Sequence, residues 1–414
     1  CNMNDSIKQL RTGYYTIIVS LYLLVNFVGI SANAVKVGCA ALLWISLIHL
    51  YSNNCFKFAQ LKKEGILFVR LYLIYAVFMV VKSFVYDDNS HFTGEPFFTI
   101  FGSLQFGVFV YVIPLFFCFS RKEFIYPILK SFKWATVVFV IALMLNFDSV
   151  IKGHSFNAFS LAYASILMCP FLPYIKRRIL LILLLILLTC VFYFVDERAA
   201  FLYATICIVG TICIKYLGNN KTMLFTGSLL VITISVAVLI YSLYYGISIF
   251  EIAQTMYSDK SDLVQDTRSF IFFELSEDLT RNNLWLFGKG LLGTCYSPFF
   301  DQSVSGEGDS AYRIGLEVGY LQYILKGGLA YLMLYMATML LAIRNAFFES
   351  NSHFVKIIGM LVLANFLMSC VSQGPGINMR YFMFWVLMGM CFSKDILSLS
   401  DNEIYSIINQ KKNQ

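Results

Sequence analysis

The chain has 414 residues, of which 59% are hydrophobic and 13% are charged, and its mean hydropathy is +0.72. Soluble globular proteins carry roughly 25% charged residues, so this composition excludes a soluble protein and indicates a polytopic membrane protein. The formal net charge is +7 at pH 7, and the way it is shared between alternate connections predicts the orientation in the membrane.

Eleven cysteines are scattered along the chain, most of them inside apolar runs. They form no C-x-x-C pair and no paired Cys/His spacing, so neither a zinc site nor a disulfide framework is predicted. We interpret them as small hydrophobic residues in helix packing.

Runs of about 20 apolar residues predict twelve membrane spans. The seventh and eighth runs are separated only by 196–198, which predicts a tight helical hairpin, because one helix over both would be too long for a single crossing. The expected fold is an all-α polytopic membrane protein with about 12 transmembrane helices, residues 1–414 forming one membrane-embedded domain. The predicted spans are 14–33, 35–51, 65–86, 97–119, 133–147, 156–174, 179–195, 199–217, 223–246, 316–342, 354–372 and 381–393.

The Lys and Arg content of alternate connections predicts which side each one faces. One set of connections, together with the two termini, carries 19 of the 31 Lys and Arg residues. The other set is poor in them, and five of its basic residues lie in one long segment, 247–313. Basic connections stay in the cytoplasm, so both termini are predicted to be cytoplasmic and 247–313 to be extracytoplasmic.

The segment 247–313, between the ninth and tenth spans, has about 67 residues, whereas the other connections are mostly short. Loops of this length are usually functional or disordered, and its aromatic and aliphatic content argues against disorder. Phe270, Phe273, Leu275 and Leu279 recur at roughly helical spacing, which predicts short helices within it. Its five basic residues face ten acidic ones, so it is not a basic patch for nucleic acid or anionic lipid.

The same segment contains a G-x-G-x-x-G sequence formed by Gly288, Gly290 and Gly293. In a dinucleotide-binding fold this motif follows a strand in a βαβ unit and precedes an acidic residue at a set distance, and neither feature is present here. The motif also lies on the predicted extracytoplasmic side, away from cytosolic dinucleotides. A Rossmann-type site is therefore excluded.

Three arginines fall at the predicted outer membrane surface, against the general charge trend. Arg198 starts the eighth span, Arg268 lies in the long segment, and Arg313 lies where that segment re-enters the membrane. Charges at membrane level are costly and usually face a polar cavity or a partner. Each could be an interfacial anchor, but three at one face favour an anion site. Arginine suits a diphosphate because its planar fork makes bidentate contacts to phosphate oxygens.

Further charged residues surround the predicted re-entry point. Lys326 and Glu317 could extend a polar cavity or neutralise each other, and both interpretations stay open. Asp309, Arg313 and Glu317 are four residues apart each time, which predicts one helical face. This face is either a local salt-bridged ladder or a clamp in which Arg313 reaches the diphosphate, and we favour the clamp.

Four stretches of the chain carry a resemblance to a known family. They are an entry into a middle span, a helix start after the hairpin, an arginine-initiated helix followed by a Gly-x-Gly turn, and a Tyr…Glu-x-Gly closing motif. In this order, around a long outer segment, they resemble the O-antigen ligase and polymerase superfamily of bacterial membrane glycosyltransferases. The stretches are Gly153–Pro173, Asp196–Leu202, Thr267–Gly293 and Gly308–Tyr320.

The resemblance implies a GT-C-like fold and a metal-independent membrane glycosyltransferase without a cofactor. The expected reaction polymerises polyprenyl-diphosphate-linked oligosaccharide repeat units, with undecaprenyl diphosphate as carrier, into the O-antigen of lipopolysaccharide or a capsule-type polysaccharide. It implies a bacterial plasma membrane location with the active site facing the periplasm or exterior. The expected partners are lipid-linked oligosaccharides, membrane lipid, and flippase and chain-length regulator proteins, without nucleic acid.

The resemblance and the charge pattern together define the expected site. The arginines would stabilise the diphosphate, the carboxylates would position the acceptor hydroxyl, and the two glycines would bring backbone close to the diphosphate. The expected catalytic residues are Arg198, Arg268, Arg313, Asp309 and Glu317. The expected substrate-binding residues are His154, Asn157, Tyr312, Gly288, Gly290 and Lys326.

One departure from the superfamily bears on the choice of reaction. Its ligases carry a His-Asn pair where this chain has Gly308-Asp309. This difference favours a Wzy-type O-antigen polymerase over a ligase that transfers glycan to a lipid A core or a protein. A lipid-linked oligosaccharide flippase is the alternative from another class: twelve spans would suit it, but a large outer segment with arginines would not.

Overall fold

In the computed structural model the chain is mostly helical, with one two-stranded sheet in its described part. This is the architecture of an all-α membrane protein, as the sequence predicts. The structure describes residues 11–19, 33–52, 60–85, 95–102, 104, 107–148, 152, 165–175, 182, 185–186, 188–191, 198–217, 220–245, 269–298, 312–370, 375 and 379–409.

Helices and strands are numbered here in chain order. The first helices are α1 (Asn33–Ser52), α2 (Lys63–Val85), α3 (Val108–Cys118), α4 (Ile125–Leu145), α5 (Arg198–Leu217), α6 (Lys221–Tyr245) and α7 (Ser269–Arg281). The two strands are β1 (Cys295–Tyr296) and β2 (Tyr312–Arg313). The remaining helices are α8 (Gly319–Arg344), α9 (His353–Met368), α10 (Met379–Met390), α11 (Lys394–Leu397) and α12 (Asp401–Asn409).

Five helical stretches in the described part are long and apolar enough to cross a membrane, and three shorter apolar helices accompany them. The predicted spans 65–86 and 223–246 agree with α2 and α6 to within two residues at each end. The count of twelve spans includes residues outside the described part and stays a prediction. The five long stretches are Lys63–Val85, Lys122–Leu145, Ala199–Tyr216, Lys221–Tyr245 and Gly319–Glu349.

The predicted span 97–119 is not one continuous helix. A short π-helix, Phe98–Gly102, precedes α3, and Leu104 between them has φ 59°. A leucine in this left-handed region cannot continue a right-handed helix, so the span is interrupted there. The apolar side chains on both sides of the interruption hide it from a count of apolar residues.

The predicted span 316–342 is interrupted as well. Its helix, α8, is broken at Gly328, which has φ 71° and ψ −176°. About nine residues precede the break and sixteen follow it, so α8 consists of two half-helices. Breaks of this kind free backbone N–H and C=O groups, which need partners inside a membrane.

Helices α9 and α10 form the centre of the bundle. All twelve residues of α10 are buried, and α9 packs against α5, α6, α8 and α10. By contrast, α2 and α6 each leave an apolar face exposed, as expected for helices that contact lipid. Polar residues carried by α9 and α10 are therefore held in the interior of the protein.

Helix α6 fixes the two ends of the bundle. Its 25 residues span about 37 Å, enough to cross a bilayer. Tyr244 and Tyr245, at its last turn, share a groove with Phe273 of α7. Lys221, at its first turn, donates a hydrogen bond to the carbonyl of Phe348, close to the start of α9. Helix α7 therefore lies at one end of the bundle, called here the α7 end, and the start of α9 lies at the other.

Candidate functional site

The chain that follows α7 runs along the break in α8. Residues 284–294, called here the capping segment, form backbone hydrogen bonds with both half-helices. Two N–H groups of the capping segment donate to carbonyls before the break, and two N–H groups after the break donate to carbonyls of the capping segment. The bonds are Lys289 to Leu325 (2.7 Å), Gly290 to Lys326 (2.9 Å), Leu329 to Trp285 (2.8 Å) and Ala330 to Leu286 (3.1 Å).

The glycines allow this close approach of two backbones. A Cβ on Gly288 would lie 2.6 Å from the nitrogen of Gly328, and a Cβ on Gly328 would lie 2.3 Å from the carbonyl oxygen of Leu286. Both glycines also have positive φ, 60° and 71°, which other residues rarely adopt. Glycine is required on each side of the contact.

Helix α2 also forms hydrogen bonds with the capping segment, through two of its side chains. The Ser83 hydroxyl accepts a hydrogen bond from the N–H of Leu291 at 2.7 Å, and the ammonium group of Lys82 donates to the carbonyl of Gly288. The N–H groups of Gly288 and Gly290 both donate within the chain, to Leu284 and to Lys326. The G-x-G-x-x-G sequence thus serves the contact with α8 and α2, and whether it also approaches a substrate stays a prediction.

Two buried lysines, one from α8 and one from the capping segment itself, bond to the end of that segment. Lys326 of α8 donates from Nζ to the carbonyl of Gly293 at 2.7 Å. Lys289 donates to the carbonyl of Thr294 at 3.0 Å and to the carboxylate of Asp278 on α7 at 2.9 Å. Three charged groups therefore join α7, α8 and the end of the capping segment within one buried network.

Arg313 lies on a strand and not on a helix. In the antiparallel sheet it pairs with Cys295, and Tyr312 pairs with Tyr296. Helix α8 begins only at Gly319, so the predicted helical face through Arg313 and Glu317 is wrong. Extended backbone after a paired strand, not a helical turn, brings these two side chains to 3.5 Å of each other.

Cys295, which pairs with Arg313 in the sheet, is buried among four charged side chains. Burial, together with the neighbouring carboxylates of Asp278 and Glu274, raises the pKa of its thiol to about 12, although Lys289 and Arg313 act in the opposite direction. The thiol therefore stays protonated near neutral pH and is no nucleophile. Arg313, with 16% of its side chain exposed, stands at the edge of this network, and Glu317, with 53% exposed, stands outside it.

A second arginine that sequence reasoning did not select lies deeper in the bundle. Arg380, the second residue of α10, is 9% exposed. Its guanidinium lies 4.9 Å from the ring centroid of Tyr203 on α5, and its Nη2 lies 3.4 Å from Oδ1 of Asn365 on α9. The arginine is therefore held in the interior of the bundle, against α5 and α9.

Polar aromatic side chains extend from Arg380 towards α8. The Asn365 amide donates to the hydroxyl of Tyr335 at 3.0 Å, and the rings of Tyr335 and Tyr323 stack with centroids 4.2 Å apart. The hydroxyls of Tyr323 and Tyr381 are hydrogen-bonded at 2.7 Å. Helices α8, α9 and α10 thus share a buried polar network with an arginine at its edge.

Arg198 is the first residue of α5, five residues before Tyr203, which contacts Arg380. Five residues correspond to about 7.5 Å along a helix, so α5 brings the backbone of Arg198 to the level of the Arg380 cluster or slightly beyond it. The Arg198 side chain, and the predicted site residues Arg268, Asp309, His154 and Asn157, lie outside the described part.

Lys326 and Glu317 bond to different partners. The lysine donates to the carbonyl of Gly293, and the glutamate pairs with Arg313. Tyr312 contacts the Tyr296 ring at 5.3 Å across the sheet. Among the residues that the structure describes, no group of three or more His, Cys, Asp or Glu is placed to hold a metal ion.

Sequence reasoning missed Arg380 because the apolar run of the last predicted span was taken to start at 381. The signal that could have found it is a charged residue next to that run, opposite the trend of basic connections. Asn365 and Tyr203 gave no such signal, because single polar residues within apolar runs are common.

The comparisons with known proteins leave the family open. No protein-family model matches the chain, and neither a protein of curated function nor a solved structure is significantly similar to it.

Proposed function

We propose that the chain is a membrane glycosyltransferase that polymerises polyprenyl-diphosphate-linked oligosaccharide repeat units at the outer face of the bacterial plasma membrane, without a metal. The observation that carries the proposal is the structure of the segment 247–313. Its described part is hydrogen-bonded onto membrane helices and holds Arg313 beside Glu317 at the α7 end. A rigid arginine and a carboxylate at the rim of a bundle suit a substrate with a diphosphate in the membrane surface and a hydroxyl outside it.

The reaction needs charge stabilisation more than covalent chemistry. An acceptor hydroxyl forms a bond to the anomeric carbon of the growing chain, and the bond from that carbon to the diphosphate breaks with its electron pair. Positioned arginines in a site of low dielectric stabilise the charge that develops on the leaving diphosphate. Arg198, Arg268 and Arg313 are assigned this role, and Asp309 and Glu317 are assigned the positioning of the hydroxyl.

Arg380 is added to this set. A buried guanidinium among membrane helices is costly, and intramembrane charges usually mark substrate pathways or sites. Its contact with Tyr203 and Asn365 orients it, and Arg198 begins the same helix that carries Tyr203. We assign Arg380 to the inner part of the anion site.

Deletion of the gene in its native bacterium, followed by a surface-glycan ladder on a gel, tests the proposal. Loss of a polymerase leaves a single repeat unit attached, whereas loss of a ligase leaves no glycan attached. Loss of a flippase instead traps the lipid-linked unit inside the cell.

The variants Arg198→Ala and Arg268→Ala, in stably inserted protein, should abolish long chains. Full-length polymer from both variants would contradict the assignment of the arginines.

A transporter of lipid-linked oligosaccharide is the second candidate, because α8 is broken and Arg380 is buried inside the bundle. Discontinuous helices and midplane charges are common at the substrate sites of transporters. Here, however, four backbone groups at the break are bonded by the capping segment. Groups that are satisfied within the chain are poor ligands for a passing substrate, so the break favours a fixed structure over a transport path.

A further inference from the structure

We propose that Lys289 and Lys326 are positioning residues for Arg313: their buried ammonium groups hold two consecutive carbonyls directly before β1 and thereby fix the strand pair that carries the arginine. The inference rests on the proposed function for the role of Arg313. The hold of the two lysines on the carbonyls, which is called the clamp from here on, rests on geometry alone. It gives Lys326 a different role from the substrate contact that the sequence suggested.

The contacts follow one another along the chain without a gap. Lys326 holds the carbonyl of Gly293 at 2.7 Å, and Lys289 holds that of Thr294 at 3.0 Å. The next residue, Cys295, pairs directly with Arg313. Only Thr294, whose carbonyl is also held, therefore lies between the first clamped residue, Gly293, and the strand position opposite the arginine.

The strand pair needs support of this kind. Each strand has only two residues, and short isolated strand pairs are marginal in stability. Lys326 belongs to α8, and Lys289 is paired with Asp278 of α7. The clamp thus fixes β1 relative to one membrane helix and one outer helix, and β2 follows through its pairing.

Cost gives an independent reason to assign the lysines a role. Lys326 is 0% exposed and Lys289 is 2% exposed. Burying an ammonium group is expensive unless its hydrogen bonds are made, and an apolar side chain of similar length would fill the space without that cost. The ammonium groups donate hydrogen bonds to two carbonyls, which methionine side chains cannot do.

A disulfide between strands reports the clamp without any activity assay. Tyr296 and Tyr312 face each other in the sheet, so cysteines at both positions should cross-link when the strands are paired. In a background free of native cysteines, the fraction oxidised is read as loss of maleimide-polyethylene-glycol labelling. Lys326→Met should lower that fraction at least threefold. Lys356→Met, which removes a buried lysine of α9 at the opposite end, should leave it unchanged.

The second measurement is the steady-state kinetics of polymerisation, with purified protein in nanodiscs and the native lipid-linked oligosaccharide as substrate. Lys326→Met should lower kcat at least tenfold with KM changed less than twofold, because a displaced arginine loses transition-state contacts more than ground-state ones. In an Arg313→Lys background the same change should add less than twofold, since the group it positions is already altered.

The outcomes separate the two proposals. Cross-linking of Lys326→Met equal to that of the parent overturns the clamp, whether or not the protein polymerises glycan. Absence of polymerisation by the parent overturns the proposed function and leaves the cross-linking result valid. If Lys326→Met does not accumulate as a single species, Lys289→Met takes its place, because it removes the second ammonium group, which holds the carbonyl of Thr294. Full cross-linking in that variant overturns the clamp equally.

Discussion

At the scale of single residues, Arg380 shows how a charge is accommodated inside the bundle. Its guanidinium stacks on the Tyr203 ring and approaches the amide oxygen of Asn365, so both its face and its edge are used. Stacking and forked hydrogen bonding are properties of arginine that lysine lacks. The Tyr203 ring and the Asn365 oxygen therefore suit a guanidinium better than an ammonium group.

This specificity predicts the result of a conservative substitution. Arg380→Lys should reduce long-chain glycan at least tenfold at normal expression, because the ammonium group cannot stack and bond in the same geometry. Arg344→Lys, at the other end of α8, should keep wild-type chain length. Both variants are read by the glycan ladder, with membrane levels of the protein measured by immunoblot. Wild-type ladders from Arg380→Lys would reduce the arginine to a structural charge.

At the scale of elements, the break in α8 is held by a reciprocal contact of two glycines. Gly328→Ala places a Cβ on a residue with φ 71° and ψ −176°, a conformation essentially restricted to glycine, at a cost of about 1–3 kcal/mol. It also brings that Cβ to 2.3 Å from the carbonyl oxygen of Leu286. We expect the midpoint of thermal unfolding in detergent to fall by several degrees. Gly227→Ala in α6, where a Cβ meets nothing within 4 Å, should leave the midpoint unchanged or raise it.

Asp401, at the start of α12, links this helix to the bundle through its carboxylate. Asp401 accepts hydrogen bonds from the His353 ring (2.6 Å), the His353 N–H (2.8 Å) and the Tyr174 hydroxyl. Burial alone would raise the pKa of Asp401, but these hydrogen bonds outweigh it and hold the pKa below its usual value. The carboxylate is thus stabilised in its charged form by two other elements.

The direction of this pKa shift predicts a pH dependence. Because the folded pKa lies below the unfolded value of about 3.9, the stabilisation is complete above that pH and is lost as pH falls through the folded pKa. Hydrogen exchange of the α12 amides, corrected for intrinsic rates, should therefore accelerate below about pH 4. Asp401→Asn should show fast exchange already at pH 7. Equal protection of α12 in both proteins at pH 7 would contradict the role of the carboxylate.

The sequence predicted the elements that depend on one signal, a long apolar run, and missed those that depend on contacts between distant residues. Helix α6 is such a run, and its ends were predicted to within two residues. The break at Gly328 was not predicted, because the apolar pattern continues on both sides and the partner of the break is the capping segment. The strand that contains Arg313 was not predicted, because a strand of two residues shows no periodicity in the sequence. The four-residue spacing of the charged residues indicated a helix instead.

At the scale of the whole molecule, the two ends of the bundle are chemically distinct. The α7 end carries the capping segment, the strand pair and Arg313, whereas the other end carries α11, α12 and the Lys62–Glu349 ion pair. The proposed reaction requires the α7 end to face the exterior, because lipid-linked repeat units are polymerised there. The distribution of Lys and Arg predicts the same orientation.

Cysteine labelling tests this orientation with matched positions on exposed helices. In a background free of native cysteines, Glu277→Cys on α7 should react with an impermeant maleimide in intact spheroplasts, since its side chain is 52% exposed. Asn402→Cys, exposed on α12 at the opposite end, should react only after lysis. The pair controls for reactivity, because each position must label fully in lysed membranes. The reverse pattern would place Arg313 in the cytoplasm, where the outer-face polymerisation proposed here could not use it.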